Sequence, residues 1–460
     1  MGEIKTKKIY RIIITSAIIF SILLSSMSIS AEKQKTVKQT SHIISNVPYV
    51  SQQTDFYCTF ACPTMAIKYF NINTSLSEIV YNSGGGYSLI YSPPILKRHL
   101  VGCNGGCRWK IDREFLAELY GLSYDMYWPI NTEYSEEQHW NEYWSRVKEN
   151  ISNNIPVMTM NDPTVLPSLR KCIQEEFNLP SKIVEKIPDT LWGLFPSVVS
   201  HMIVIVGYNE ENNTLCFNDP AAALFGYPQH GKYIWMDITS FRKAMKRITP
   251  HSSAVYLIET FKENPNEPFD KNTLFEKAHQ RNLKKMNGDT SVYDHYVSDD
   301  WNCSSFGING LKEAQTHFSK GIQNRIKTIL YYKLISLYLL FSASYKIYFI
   351  CEKLFPEFIQ LEDYEAQMSY FYRIAIQKQN MSHYLSQLKN KLSTPELIEL
   401  CEKDAELLNQ DSQLFYTLSE NYLEFHKKGL FMTLPNGIQK MKNMENIVSE
   451  IILTEQKIIT

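Results

Sequence analysis

Two cysteines stand one helical turn apart in Tyr57-Cys58-Thr59-Phe60-Ala61-Cys62-Pro63, within a chain of 460 residues. An extended segment, Val47-Pro48-Tyr49-Val50-Ser51-Gln52, leads into them, and apolar helical sequence follows as far as Phe70. A cysteine in the first turn of a helix meets unpaired backbone N–H groups and the positive end of the helix dipole, which favour thiolate over thiol. The thiolate is the nucleophilic form, so Cys58 is the candidate nucleophile. Gln52, six residues upstream, carries a side-chain amide able to donate to the oxygen of a carbonyl under attack, which is oxyanion stabilisation.

Such a thiolate needs an imidazole. The candidate is His201, at the head of the apolar run His201-Met-Ile-Val-Ile-Val-Gly-Tyr208, which a polar turn separates from Leu215-Cys-Phe-Asn-Asp219-Pro220. The pattern predicts an antiparallel hairpin. If its paired positions sum to an even number, Asp219 shares a face with His201, opposite it or one diagonal step away, and its carboxylate can hold the ring. One extra residue in the turn reverses that parity.

The motifs Val47-Pro-Tyr-x-x-Gln52, Cys58-x-x-Ala61-Cys62-x-x-Met65-Ala66 and His201…Gly207-Tyr208…Asp219-Pro220 resemble those of papain-like cysteine peptidases of the double-glycine-leader, bacteriocin-processing type and their stand-alone relatives. The resemblance covers roughly Val47 to Thr260. It implies Cys58 as nucleophile, His201 as base, Asp219 as its orienting partner and Gln52 as oxyanion donor. Two positions depart from the pattern: Thr59 stands where the family usually has Gly, and Pro63 lies inside the helix. A helix starting near Phe60 would place Pro63 in the first turn, where its missing N–H costs nothing.

The elements that must position these residues read as α+β. A cap and short helix follow Asn71, helices are expected over Asp112–Leu122 and Ser135–Asn150, and Asn153–Met160 reads as a buried strand. Trp140, Trp144 and Val147 share one helical face, which marks core more than a substrate platform. Residues 161–200, with five prolines and a helical piece near Leu169–Glu176, form an irregular insertion, either a lid or a tolerated surface segment. Beyond Pro220 come a strand over Gly231–Met236, a capped helix over Asp237–Met245 and a closing strand over Ser253–Ile258. Ser83-Gly-Gly-Gly-Tyr87 predicts a loop whose backbone passes close to something. No Lys-Ser/Thr follows it, so it is not a phosphate cradle.

Residues 1–31 read as an export signal, with Lys5, Lys7, Lys8 and Arg11 ahead of the apolar run Ile12–Leu24; an uncleaved membrane anchor is the alternative. Residues 32–45 are a polar, flexible leader, 46–262 the papain-like domain, and Glu263–Phe269 a boundary. Residues 270–460, poor in Pro and Gly and rich in helical periodicity, predict an all-α domain. There Tyr331, Tyr332, Tyr338, Tyr345 and Tyr348 read as core sooner than as a partner groove. Cys103-Asn-Gly-Gly-Cys107 suggests a local disulfide in an exported protein, with free thiols as the alternative. A zinc site would need two more ligands, so neither metal nor cofactor is expected.

A net charge of −1, with no basic stripe interleaved with aromatics, gives no argument for nucleic acid. The expected activity is an exported thiol hydrolase acting on a peptide or protein, secreted or anchored outside the cytoplasm. Two alternatives remain at this point. A butirosin-type acyltransferase would use the same acyl-enzyme, and a catalytically silent papain-like module, suggested by Thr59, would bind a protein partner together with the helical half.

Overall fold

The computed structural model describes residues 41–54, 57–87, 90–91, 110–129, 134–162, 166–176, 178, 201–246, 256–265, 267–293, 305–323, 362–428 and 434–460. The apolar run at 12–24, Cys103, Cys107 and the tyrosines from Tyr331 to Tyr348 lie outside these residues.

In chain order, β1 (Ser41–Ile43) leads to helices α1 (Cys58–Tyr69) and α2 (Leu76–Asn82), then to β2 (Ile90–Tyr91), α3 (Lys110–Leu119) and β3 (Leu122–Tyr127). Helix α4 (Glu136–Ser152), β4 (Val157–Asn161), α5 (Pro167–Glu176) and the hairpin β5 (His201–Asn209) with β6 (Thr214–Asn218) follow. Next are β7 (Ile234–Asp237), α6 (Ile238–Lys246) and β8 (Ile258–Glu263). The remainder holds α7 (Lys271–Asn287), β9 (Ser305–Phe306), α8 (Gly307–Gln323), α9 (Glu362–Leu388), α10 (Pro395–Lys428) and α11 (Leu434–Ile459).

Two compact units do not follow the linear order of the chain. One takes residues up to Asn73 and Tyr124–Lys262; the other takes Thr74–Ser123 and Glu263–Thr460. The chain passes between them three times, after Asn73, after Ser123 and after Lys262, and the last of these crossings lies at the head of the Glu263–Phe269 stretch. Residues 74–123, read from sequence as part of one continuous domain over 46–262, group with the carboxy-terminal residues, where Asp112 meets Arg281 and Lys285.

The first unit is built on an antiparallel sheet in the order β3-β8-β4-β5-β6-β7, with β1 added alongside β5. Strand β5 is long enough to serve two neighbours on one edge, pairing His201–Ile205 with β4 and Gly207–Asn209 with β1. Ser41–Ile43, expected in a flexible leader, is therefore a strand. Helix α1 is buried at every position from Cys58 to Ile67, as a helix apolar on all sides must be. It starts at Cys58, two residues earlier than Pro63 would favour, so the proline stands in its second turn and leaves the Thr59 carbonyl without its usual i+4 donor.

Helix α4 begins with a capping box in which the Ser135 side chain accepts from the Gln138 N–H and the Gln138 side chain accepts from the Ser135 N–H. Trp140 is buried and packs against Trp144, Tyr143 and Tyr256, which makes it core. The closing strand β8 runs later than expected, Ile258–Glu263 in place of Ser253–Ile258, and residues 247–255 are outside the described set.

The second unit is helical apart from the short β2–β9 pairing. Its core gathers Leu311, Phe371, Ile374, Phe415, Leu418, Met444, Val448 and Ile451 from α8 to α11. The glycine loop does meet its neighbours closely. Gly84 has φ +67°, and a Cβ there would lie 2.6 Å from Asn282 Oδ1 and 2.8 Å from Lys285 Cδ; at Gly86 it would lie 2.8 Å from Met381 Sδ.

Charges are buried in this unit and paired. Asp112 of α3 meets the Arg281 guanidinium and, at 2.7 Å, the Lys285 ammonium of α7. Burial would raise its pKa, and the two cations more than reverse that, holding the carboxyl below its ordinary range. Lys378 of α9, fully buried, lies 2.7 Å from Asp411 of α10 and also pairs with Glu455 of α11. It sits 4.6 Å from the Tyr87 ring centroid.

Lys378→Met removes the cation shared by two buried carboxylates. Loss of one partner of a buried pair costs about 3–5 kcal/mol, so the urea midpoint of the far-UV signal is expected to fall well below wild type. An unchanged midpoint would contradict this account of the bundle.

Candidate active site

Cys58 opens α1, with Tyr57 at the N-cap making no side-chain cap. The positive end of the helix dipole thus falls on the sulfur, with no acidic side chain in the first turn to offset it. Cys58 is free and only 4% exposed. Cys62, one turn on, is also buried and free, but its Sγ donates to the Met202 carbonyl at 3.2 Å. The structure therefore separates the two: Cys62 fastens α1 to β5, and Cys58 is the cysteine that hydrogen-bonds His201.

His201 Nε2 lies 2.7 Å from Asp219 Oδ1, both groups buried. That leaves Nδ1 as the ring nitrogen for Cys58. The hairpin achieves this contact through a β-bulge. At the turn end Gly207 pairs with Cys216, while at the far end Val204 pairs with Asn218, the register shifting between Ile205 and Gly207. Carried on unbroken, the turn-end register would set Asp219 opposite Val204, on the wrong face. With Val206 as the extra residue, Asp219 extends the line opposite Ile203, two residues from His201 and on its side of the sheet.

Asp219 is fixed by its backbone as well as its side chain. Its N–H donates to the Gly231 carbonyl at 2.7 Å, and its carbonyl accepts from the Tyr49 hydroxyl at 2.9 Å. Oδ1 also accepts the Ala221 N–H at 2.9 Å, capping the 3₁₀ turn over Pro220–Phe225. Oδ2 accepts the Ser168 hydroxyl from α5. Ser168 and Gly231 carry no motif in the sequence, and Tyr49, though it lies in the Val47–Gln52 motif, has no role marked there; Ser168 lies just ahead of the helical piece read near Leu169–Glu176, and that helix is its only signal.

The electrostatics follow from this geometry. For Cys58, burial pushes the thiol up, yet the charge and hydrogen bond of His201 outweigh it and hold the thiol below its ordinary value. For His201, burial works against the charged ring, but Asp219 and Cys58 raise it from 6.5 to about 10. Burial would also raise Asp219, and His201, Ser168 and the Ala221 N–H together bring it below the usual carboxylate range. Each of the three stabilises the charged form of its neighbour. The arrangement favours thiolate beside imidazolium, unlike the buried Cys172 and Cys216, which burial pushes up to about 11 and about 12.

Gln52 is tied to the same place by its backbone, its N–H donating to the Pro220 carbonyl at 3.0 Å. Its Nε2 donates to the Thr54 carbonyl at 3.2 Å, using one of its two hydrogens. Its Oε1 is buried without a hydrogen-bond partner among the described residues. Asn161, paired with His201 across β4–β5, is likewise buried with both side-chain amide atoms unsatisfied among the described residues.

Gly231→Ala tests how Asp219 is held, because a Cβ there collides with the Asp219 carbonyl oxygen and the Tyr49 hydroxyl. Displacing these atoms should cost about 1–3 kcal/mol and shift alkylation of Cys58 to higher pH. A variant with wild-type stability and an unaltered alkylation profile would show that this backbone contact does not position Asp219.

Residues 44–252 match the model of the Peptidase C39-like family. The match spans Gln52, Cys58, His201 and Asp219 and is consistent with a papain-like cysteine peptidase fold in this stretch, as the motifs implied. The carboxy-terminal half is unassigned to any family. No curated protein matches the chain.

Proposed function

We propose that the first unit is a thiol hydrolase that cleaves a peptide or amide bond. The observation that carries this reading is the line of three buried groups, Cys58 at the head of α1, His201 beside it and Asp219 Oδ1 2.7 Å from His201 Nε2, an arrangement that lowers the Cys58 thiol against its own burial. An inert buried cysteine would move the other way. In the reaction the Cys58 thiolate attacks the carbonyl carbon, and the His201 imidazolium gives its proton to the leaving amine. The neutral ring then takes a proton from water, whose hydroxyl adds to the acyl-enzyme; collapse of that adduct breaks the C–S bond, releases the acid and expels the sulfur as thiolate beside the re-formed imidazolium.

Asp219 keeps the ring oriented and its positive charge stable, and the spare Nε2 hydrogen of Gln52 is the donor assigned to the developing oxyanion. The substrate class is a peptide or protein. The cationic residues ahead of Ile12–Leu24 support placement outside the cytoplasm, released or anchored by that apolar run.

The test is the pH dependence of iodoacetamide labelling of the full chain, followed by peptide mapping. Cys58 should react at pH values well below the 8.5 or so at which a free thiol titrates. His201→Ala should slow its labelling at pH 6.5 at least about tenfold, the ratio that one pKa unit gives. If other thiols react while Cys58 stays silent in wild type, the hydrolase reading is lost, and a partner-binding module takes its place.

A further inference from the structure

Helix α5 belongs to the proline-rich stretch before His201, and its second residue reaches the site. Ser168 is buried, and its hydroxyl is the donor to Asp219 Oδ2, whereas Oδ1 serves His201 and the Ala221 N–H. The same helix is fastened at two further points to the segment that follows Asp219. Cys172 Sγ lies 3.8 Å from the Ala222 carbonyl it donates to, and Glu175 pairs with His230 in the 3₁₀ turn over Pro228–Gly231. Three successive turns of α5 thus bear on one short stretch of chain.

Resting on the triad reading above, we infer that Ser168 is a positioning residue, and that the seating of α5 is a condition for the Cys58–His201 ion pair. A buried carboxylate oxygen deprived of its donor is costly. Without the Ser168 hydroxyl, Asp219 relieves that cost by taking up a proton or by turning Oδ2 toward another donor. Either response weakens the charge facing Nε2, the imidazolium loses support, and the Cys58 thiol rises toward the value burial alone would give. A helix in the insertion, with no contact to a reacting atom, thereby sets how much thiolate the site holds. Anything that lifts α5 lowers nucleophilicity without touching Cys58.

The experiment reads the Cys58 alkylation profile against pH, with iodoacetamide as probe, on the full-length protein and its variants. Ser168→Ala should move the midpoint upward by about one unit while the far-UV spectrum stays as in wild type. Ser168→Thr, which keeps the hydroxyl, should restore it. In an Asp219→Asn background the Ser168→Ala change should add nothing further, because its effect runs through that carboxylate; an additive shift would overturn the inference. Were Ser168→Ala not to fold, the isosteric pair Ser168→Thr and Ser168→Val reads the hydroxyl at constant shape.

A wild-type profile with its midpoint depressed and a Ser168→Ala profile that coincides with it would sink the role of Ser168 and leave the triad reading standing. A wild-type midpoint at the value of an ordinary thiol would sink both.

Discussion

Strand β5 carries one residue more than β6 between Ile205 and Gly207, and the meeting of His201 with Asp219 depends on that residue. A strand alternates faces strictly, so an extra residue is the device that moves a side chain to the other side of a sheet without changing the turn. Two neighbours hold the bulge in place. The Val206 carbonyl accepts the Ile44 N–H at 2.8 Å, and Gly207 lies so close under β1 that a Cβ would stand 2.9 Å from the His42 carbonyl oxygen. The short strand at Ser41–Ile43 therefore acts on the site through register, well away from any reacting atom.

Both units place charge where water is absent, and both meet its cost in the same way. Asp219 has His201, Ser168 and a backbone N–H; Asp112 has Arg281 and Lys285; Lys378 has Asp411 and Glu455. A buried ion with good partners adds little net stability, yet removing one partner is expensive, so such clusters specify arrangement more than they add cohesion. In the second unit that specification joins α3 to α7 and α9 to α10 and α11. In the first it joins β5 to the segment after β6 and to α5.

Much of this could be read from the sequence, for definite reasons. Cys58 declares itself by preceding an apolar helix, and His201 and Asp219 by heading and closing two apolar strands around a polar turn. Those signals are local. The bulge at Val206 is not, since nothing in Val-Ile-Val-Gly distinguishes an inserted residue from a paired one; sequence could say only that parity would decide. Ser168, Tyr49 and Gly231 reach Asp219 from 12 to 170 residues away along the chain, and Ser, Tyr and Gly have too many other uses for type alone to mark them. The grouping of Thr74–Ser123 with the carboxy-terminal half was hidden for the same reason, because Asp112 shows its role only beside Arg281 and Lys285. The departure at Pro63 was visible but misplaced, since α1 begins before the residue that the proline appeared to require.

The path of the chain through its two units has a consequence for biosynthesis. A ribosome delivers residues 74–123 about 150 residues before the α7 cations that neutralise Asp112, so this segment must wait, with Asp112 unpaired and the faces of α2 and α3 uncovered. Long waits of this kind raise the loop-closure cost of folding and expose apolar surface to wrong partners. The sheet, by contrast, has its last strand once Glu263 emerges. Truncation at the boundary so plain in the sequence, Glu263–Phe269, would therefore not release an independent domain; it would strand a fifty-residue segment whose counter-charges had been cut away.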